Sequence, residues 1–78
     1  MAYGGVSLDM TPGQAAVYAD GAYVGPASDF SDPSRPLSLA AGPHRIEVRA
    51  PGFAPVAFDV NVEPGQVTPY RGDLQPIR

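Results

Sequence analysis

The stretch His44-Arg45-Ile46-Glu47-Val48-Arg49-Ala50-Pro51-Gly52-Phe53-Ala54-Pro55-Val56-Ala57-Phe58-Asp59-Val60-Asn61-Val62 decides the fold. His44, Ile46, Val48 and Ala50 alternate with Arg45, Glu47 and Arg49, so one face of an extended chain is apolar and the other charged. Pro51-Gly52 follows with the fixed φ and the permissive φ that a tight turn needs. Alternation resumes at Val56, Phe58, Val60 and Val62, interleaved with Ala57, Asp59 and Asn61. The two runs predict an antiparallel hairpin with one buried face.

The same period of two extends in both directions. Towards the C-terminus, Pro64-Gly65 makes the next reversal, and Thr68, Tyr70, Gly72 and Leu74 share an inner face. Pro69 lies within that run and cannot donate a ladder hydrogen bond, which places the strand at a sheet edge. Towards the N-terminus, Val6, Leu8 and Met10 alternate with Ser7 and Asp9, and Thr11-Pro12-Gly13 turns the chain. Ala15, Val17 and Ala19 then form a second inner face, and Asp20-Gly21 is a strong hairpin signal leading into a short strand, Ala22 to Gly25, with Val24 inward. Residues 26–36 are polar, rich in proline and without periodicity, which predicts an exposed loop before a brief strand at Leu37 and Leu39. Gln75-Pro76-Ile77-Arg78 looks like the start of a linker. Alternation fixes which side chains face inward and leaves strand order open.

Composition narrows the function. At 78 residues the chain supports one small domain, residues 1–78, with no room for a deep cleft. It contains no cysteine, which removes disulfides, thiolate metal sites and thiol chemistry. A net charge of −3, with five arginines and no lysine, gives no basic surface for nucleic acid or for an anionic membrane. No apolar run approaches the ~20 residues of a membrane span, and the residues after Met1 lack the form of a signal peptide. If the parent protein is exported, its targeting segment is expected upstream.

The residues that carry chemistry are few. His44 is the sole histidine, and its place at the start of a strand on the inner register predicts a structural role, its ring satisfying nearby backbone groups. Asp29 and Asp32 could offer oxygens to a cation, yet the dense Asp/Asn/Gly spacing of a calcium loop is missing, and an Asx turn at Pro33 is the simpler expectation. The glycines lack the pattern and the helix of a phosphate cradle. Arg71-Gly72-Asp73 spells an adhesion tripeptide recognised by integrins, but it falls inside a predicted strand, where pairing engages its backbone. Tyr18 and Tyr23 should point away from the inner face and lie close together across the Asp20-Gly21 turn, as packed cross-strand partners or as an exposed aromatic platform. With Phe30, Asp29 and Asp32 they make up the candidate interaction surface; Asp20, Gly21, Gly42 and Gly52 are the candidate turn residues. No catalytic, cofactor or metal residues are expected.

Thr11-Pro-Gly-Gln-Ala-Ala-Val-Tyr-Ala-Asp-Gly-Ala-Tyr-Val-Gly25 resembles the opening of the PEGA domain, which runs from a Pro-containing turn through Ala-x-Val to Asp-Gly and a terminal Gly. Ala41-Gly-Pro-His-Arg-Ile-Glu-Val48 looks like that family's Gly-x-His strand, Pro51-Gly52-Phe53 like its Gly-aromatic turn, and Glu63-Pro-Gly-Gln66 like the turn before its last strand. The name-giving Pro-Glu-Gly-Ala stands here as Pro12-Gly13-Gln14-Ala15, and the 26–36 loop replaces a short Thr-Pro link. The resemblance implies a β-sandwich related to surface-layer proteins, used as an accessory to other domains in envelope proteins, without catalytic residues.

Together these readings predict an all-β, small seven-stranded antiparallel sandwich of Ig-like or prealbumin-like architecture. The expected role is that of a non-catalytic module of a larger bacterial cell-envelope protein, exported or membrane-anchored, periplasmic or on the cell surface. It would act as a spacer or dock onto neighbouring domains and other envelope proteins; the alternative is a module that binds carbohydrate or cell-wall glycan. No cofactor, nucleic acid or membrane insertion is expected.

Overall fold

A computed structural model describes residues 2–77. Among these, seven strands follow in chain order: β1 (Tyr3–Thr11), β2 (Ala16–Ala19), β3 (Ala22–Pro26), β4 (Leu37–Ala40), β5 (Gly42–Arg49), β6 (Val56–Val62) and β7 (Val67–Asp73). A single 3₁₀ turn, Ala27–Phe30, follows β3. The strands form two sheets, one ordered β4-β1-β7 and one ordered β3-β2-β5-β6. Their apolar faces share one core, in which Val6 and Leu8 from the first sheet meet Val17, Ile46 and Val48 from the second, all fully buried. Burying each such side chain contributes about 1.5–3 kcal/mol.

The two alternating runs around Pro51-Gly52 form β5 and β6, antiparallel with Ile46 opposite Phe58 and Val48 opposite Val56. The Asp20-Gly21 hairpin joins β2 to β3, and both loop residues have positive φ, 51° and 87°, which a right-twisted two-residue hairpin requires. Gly52 also has positive φ, 81°, in the β5–β6 turn.

Three expectations about strands and loop need correction. The fold is not wholly antiparallel, because β7 lies parallel to β1 from Gly5 opposite Val67 to Thr11 opposite Asp73. Parity explains this. Each connection reverses the chain, so the first and seventh strands point the same way, and adjacency makes them a parallel pair. Val24 does not face the core: the β2–β3 register shifts between Val17 and Tyr18, leaving Val24 in a bulge and 36% exposed. The 26–36 loop is only partly exposed. Ala27 is fully buried, its N–H donating to the Ala15 carbonyl (2.8 Å), and the Ser28 N–H donates to the Gly13 carbonyl (2.8 Å). Pro36 then crosses above Gly5, where an added Cβ would lie 2.7 Å from its ring.

The two sheets are fastened at both ends and along one side. At the end holding the Asp20-Gly21 turn, His44 Nδ1 meets Asp20 Oδ2 at 2.5 Å and Nε2 meets the Ala40 carbonyl at 2.7 Å, linking β5, the β2–β3 turn and β4. At the other end the Ala54 N–H donates to the Gln75 carbonyl (2.8 Å) and the Ile77 N–H to the Gly52 carbonyl (2.9 Å). Residues 75–77 are therefore tied to the β5–β6 turn and do not form a free linker; Arg78, read as part of that linker, lies outside the described residues. Along the open side, Phe58 of β6 and Tyr70 of β7 stack with centroids 3.8 Å apart and planes 6° apart.

The His44 bridge has a defined proton state. A carboxylate and a carbonyl only accept, so both ring nitrogens must donate, which is the imidazolium form. The Asp20 carboxylate first, then the Ala40 carbonyl, hold the His44 pKa above its ordinary 6.5. The Arg45 N–H first (2.9 Å), then His44, hold Asp20 below its ordinary 3.8. The His44 contribution is full below about pH 6.5 and is lost as pH rises through the raised folded value; the Asp20 contribution is present above about pH 4 and is lost as pH falls through the lowered one. Urea denaturation from about pH 3 to about pH 9 should show a plateau of stability between those limits. His44→Gln should abolish the alkaline decline; an unchanged decline in that variant would contradict the bridge.

Close approach also constrains β1. A Cβ on Gly4 would sit 2.2 Å from the Glu63 carbonyl oxygen and 2.7 Å from Val62 Cγ1. Gly4→Ala should destabilise the domain by about 1–3 kcal/mol, read as a lower urea midpoint. An unshifted midpoint would show that β1 can move away from β6 without cost.

Candidate functional site

Tyr18 and Tyr23 point outward from the four-stranded sheet, because their neighbours Val17 and Ala19 are buried against the core. The hairpin sets the two tyrosines directly opposite each other, with ring centroids 5.7 Å apart in an edge-to-face arrangement. Tyr18 is half-buried and Tyr23 is 61% exposed, so the first serves as the base on which the second stands. The Arg49 guanidinium lies 5.4 Å from the Tyr18 ring centroid and also donates from Nη2 to Glu47 Oε2 at 2.8 Å. The result is a surface row of Tyr23, Tyr18 and Arg49, flanked by Glu47. It offers an aromatic face, a phenol hydroxyl and a charged pair to solvent.

Arg49 is not among the surface residues that the sequence suggests. Its recruitment follows from register: Ala16 pairs with Arg49 and Tyr18 with Glu47, which sets Arg49 diagonal to Tyr18 on the same face. Only the adjacency of β2 and β5 brings it there, and no local motif signals that adjacency.

The other candidates have contacts of their own. Phe30 packs against the core, and its ring lies beside Gly25, where an added Cβ would meet Cζ at 3.3 Å. The Asp29 carboxylate borders the same glycine. Asp32 accepts from the Ser34 N–H and the Ser34 hydroxyl, both at 2.9 Å, forming the Asx turn around Pro33 and holding its carboxyl below the usual range. Asp32 is thus committed to shaping its own loop. Among the described residues, no group of three or more His, Asp or Glu side chains gathers at metal-binding distances.

A shallow cleft of about 380 Å³ lies where the loop meets the outer face of the three-stranded sheet, lined by Ser7, Asp9, Ser31, Pro33, Pro69, Tyr70 and Arg71. The loop residues that border it cover Ser7, which is buried although the alternation assigns it to a wet face. Arg71 Nε donates to Asp9 Oδ2 at 3.2 Å, and the Thr11 hydroxyl donates to Asp73. The Arg71 and Asp73 side chains are thereby directed at β1, as parts of a paired strand. Asp20, with Gly21, Gly42 and Gly52, occupies turns or strand ends with positive φ.

No helix among the described residues is long and apolar enough to cross a membrane. Neither the curated proteins nor the solved structures yield a significant match to the chain. The model of the PEGA domain family matches residues 3–78. Domains of this family typically occur in extracytoplasmic proteins. With nearly every residue covered, and with the Asp20-Gly21 hairpin, the His44 strand and the Pro51-Gly52-Phe53 turn each in place, the chain belongs to the PEGA domain family.

Proposed function

We propose that this chain is a non-catalytic spacer and docking module, Ig-like in its three-on-four strand arrangement, within an extracytoplasmic protein of the bacterial cell envelope. The observation that carries the reading is the direction of its first and last strands. β1 and β7 run parallel and side by side, so the chain enters at one end of the body and leaves at the other, some six residue steps or about 20 Å along the pair. A fold whose termini emerge together makes a side branch; one whose termini emerge at opposite ends makes a segment of a line. The fastenings at both ends, through His44 and through Gln75 and Ile77, favour a fixed separation over a hinged one.

Docking would use the Tyr23, Tyr18 and Arg49 row, whose aromatic and charged composition suits a protein surface. The same row favours a second reading, since an exposed tyrosine beside hydrogen-bonding side chains is also able to seat a sugar ring of a cell-wall glycan. Asp32 is held in its own Asx turn, while the Asp29 carboxylate borders Gly25 on the strand that carries Tyr23.

Fluorophores joined to the two termini and measured by single-molecule energy transfer should give one narrow separation, unchanged by denaturant until the domain unfolds. A broad distribution of the kind a flexible linker gives would overturn the spacer reading. Titration with soluble glycans and peptidoglycan fragments, followed by amide shifts, decides the second reading: unmoved amides around Tyr18 and Tyr23 dismiss glycan binding, and saturable shifts there establish it.

A further inference from the structure

We propose that the β1–β7 pair is a tension-bearing element, and that the domain is built to resist force applied through its termini. The inference rests on the spacer reading and adds a mechanical property to it. A line of modules anchored at both ends carries force, and how a module resists that force depends on how its bonds are oriented to the pull.

Tension on this chain draws β1 towards one end and β7 towards the other. Because the two strands are parallel neighbours, that pull lies along them and across their hydrogen bonds. Gly5 N–H donates to the Gln66 carbonyl at one end of the pair, and Leu74 N–H donates to the Thr11 carbonyl at the other, both at 2.8 Å. The seven registered positions between Gly5 and Thr11 are therefore loaded together, in shear. Pulling at one end alone would load the same bonds one after another.

Side chains add to the shear resistance on the outer face of the pair. Asp9 is opposite Arg71 and bonded to it, and Thr11 is opposite Asp73 and bonded to it. On the inner face, Leu8 is opposite Tyr70, which is stacked on Phe58 of the other sheet, so β7 cannot slide without disrupting the core. The two bonds at Gln66 and Leu74 assign the even positions of β7 to β1. By the same alternation Pro69 turns its nitrogen to the free edge, where its lack of an N–H costs the pair nothing and blunts pairing with other chains.

The absence of cysteine makes the test direct. Ala2, Gln66 and Gln75 are exposed, so thiols placed there serve as attachment points for single-molecule force measurements. Pulling the Ala2→Cys, Gln75→Cys pair loads β1 and β7 in shear; pulling the Ala2→Cys, Gln66→Cys pair opens the ladder from one end. At one loading rate, the first geometry should need about twofold more force or greater, since forced unfolding reports the barrier along the pulled direction. Equal forces in the two geometries, or a lower force for the first, would overturn the tension-bearing role. That outcome would leave a narrow end-to-end separation intact, and so would be distinguishable from failure of the spacer reading, in which the separation itself is broad.

Discussion

The parallel contact between the first and last strands is the constraint from which the rest of the structure follows. A chain of seven strands, each reversing the one before, must have its first and last members pointing the same way. Bringing those two together in one sheet closes the three-stranded layer, β4-β1-β7, and puts β1 at its centre with Val6, Leu8 and Met10 buried. It also sets β7 opposite β6, where Tyr70 and Phe58 seal the flank. The exits of the chain are then fixed at opposite ends without any further device.

What remains is the task of holding two layers in a small body, 43 by 22 by 16 Å, that has no disulfide and a core of mostly aliphatic side chains. Apolar burial alone is marginal at this size. Polar fastenings at the ends supplement it: the imidazolium bridge between Asp20 and Ala40, and the bonds from the Pro51-Gly52-Phe53-Ala54 turn to Gln75 and Ile77. Among the described residues, no fully buried side-chain nitrogen or oxygen lacks a hydrogen-bond partner. The turn glycines and Asp20 that carry the resemblance to the family thus sit where reversals and fastenings coincide.

Local features are legible in the sequence and long-range ones are not. The β5–β6 and β2–β3 hairpins can be read because turn chemistry and alternation lie within twenty residues of each other and each constrains the other. The edge position of β7 can be read because Pro69 lies inside the run, where a ladder N–H on both sides is not available. The parallel partner of β7 cannot, since alternation says which face is buried and nothing about which strand lies alongside. Val24 departs from the alternation because a bulge breaks the period without a residue to announce it, and Ser7 because the loop that covers it arrives from far along the chain. Arg49 escapes a local reading for the same reason: its approach to Tyr18 depends on the β2–β5 pairing. Phe30 packs against the core and Asp32 shapes its own loop, uses that composition does not reveal.

The most direct test of the central claim is the direction of the β1–β7 pair in solution, read from interproton contacts by NMR. Parallel pairing predicts contacts whose numbers rise together on the two strands, from Gly5 with Val67, through Ser7 with Pro69 and Asp9 with Arg71, to Thr11 with Asp73. Contacts that rise on β1 while falling on β7, or the absence of any between these strands, would contradict it.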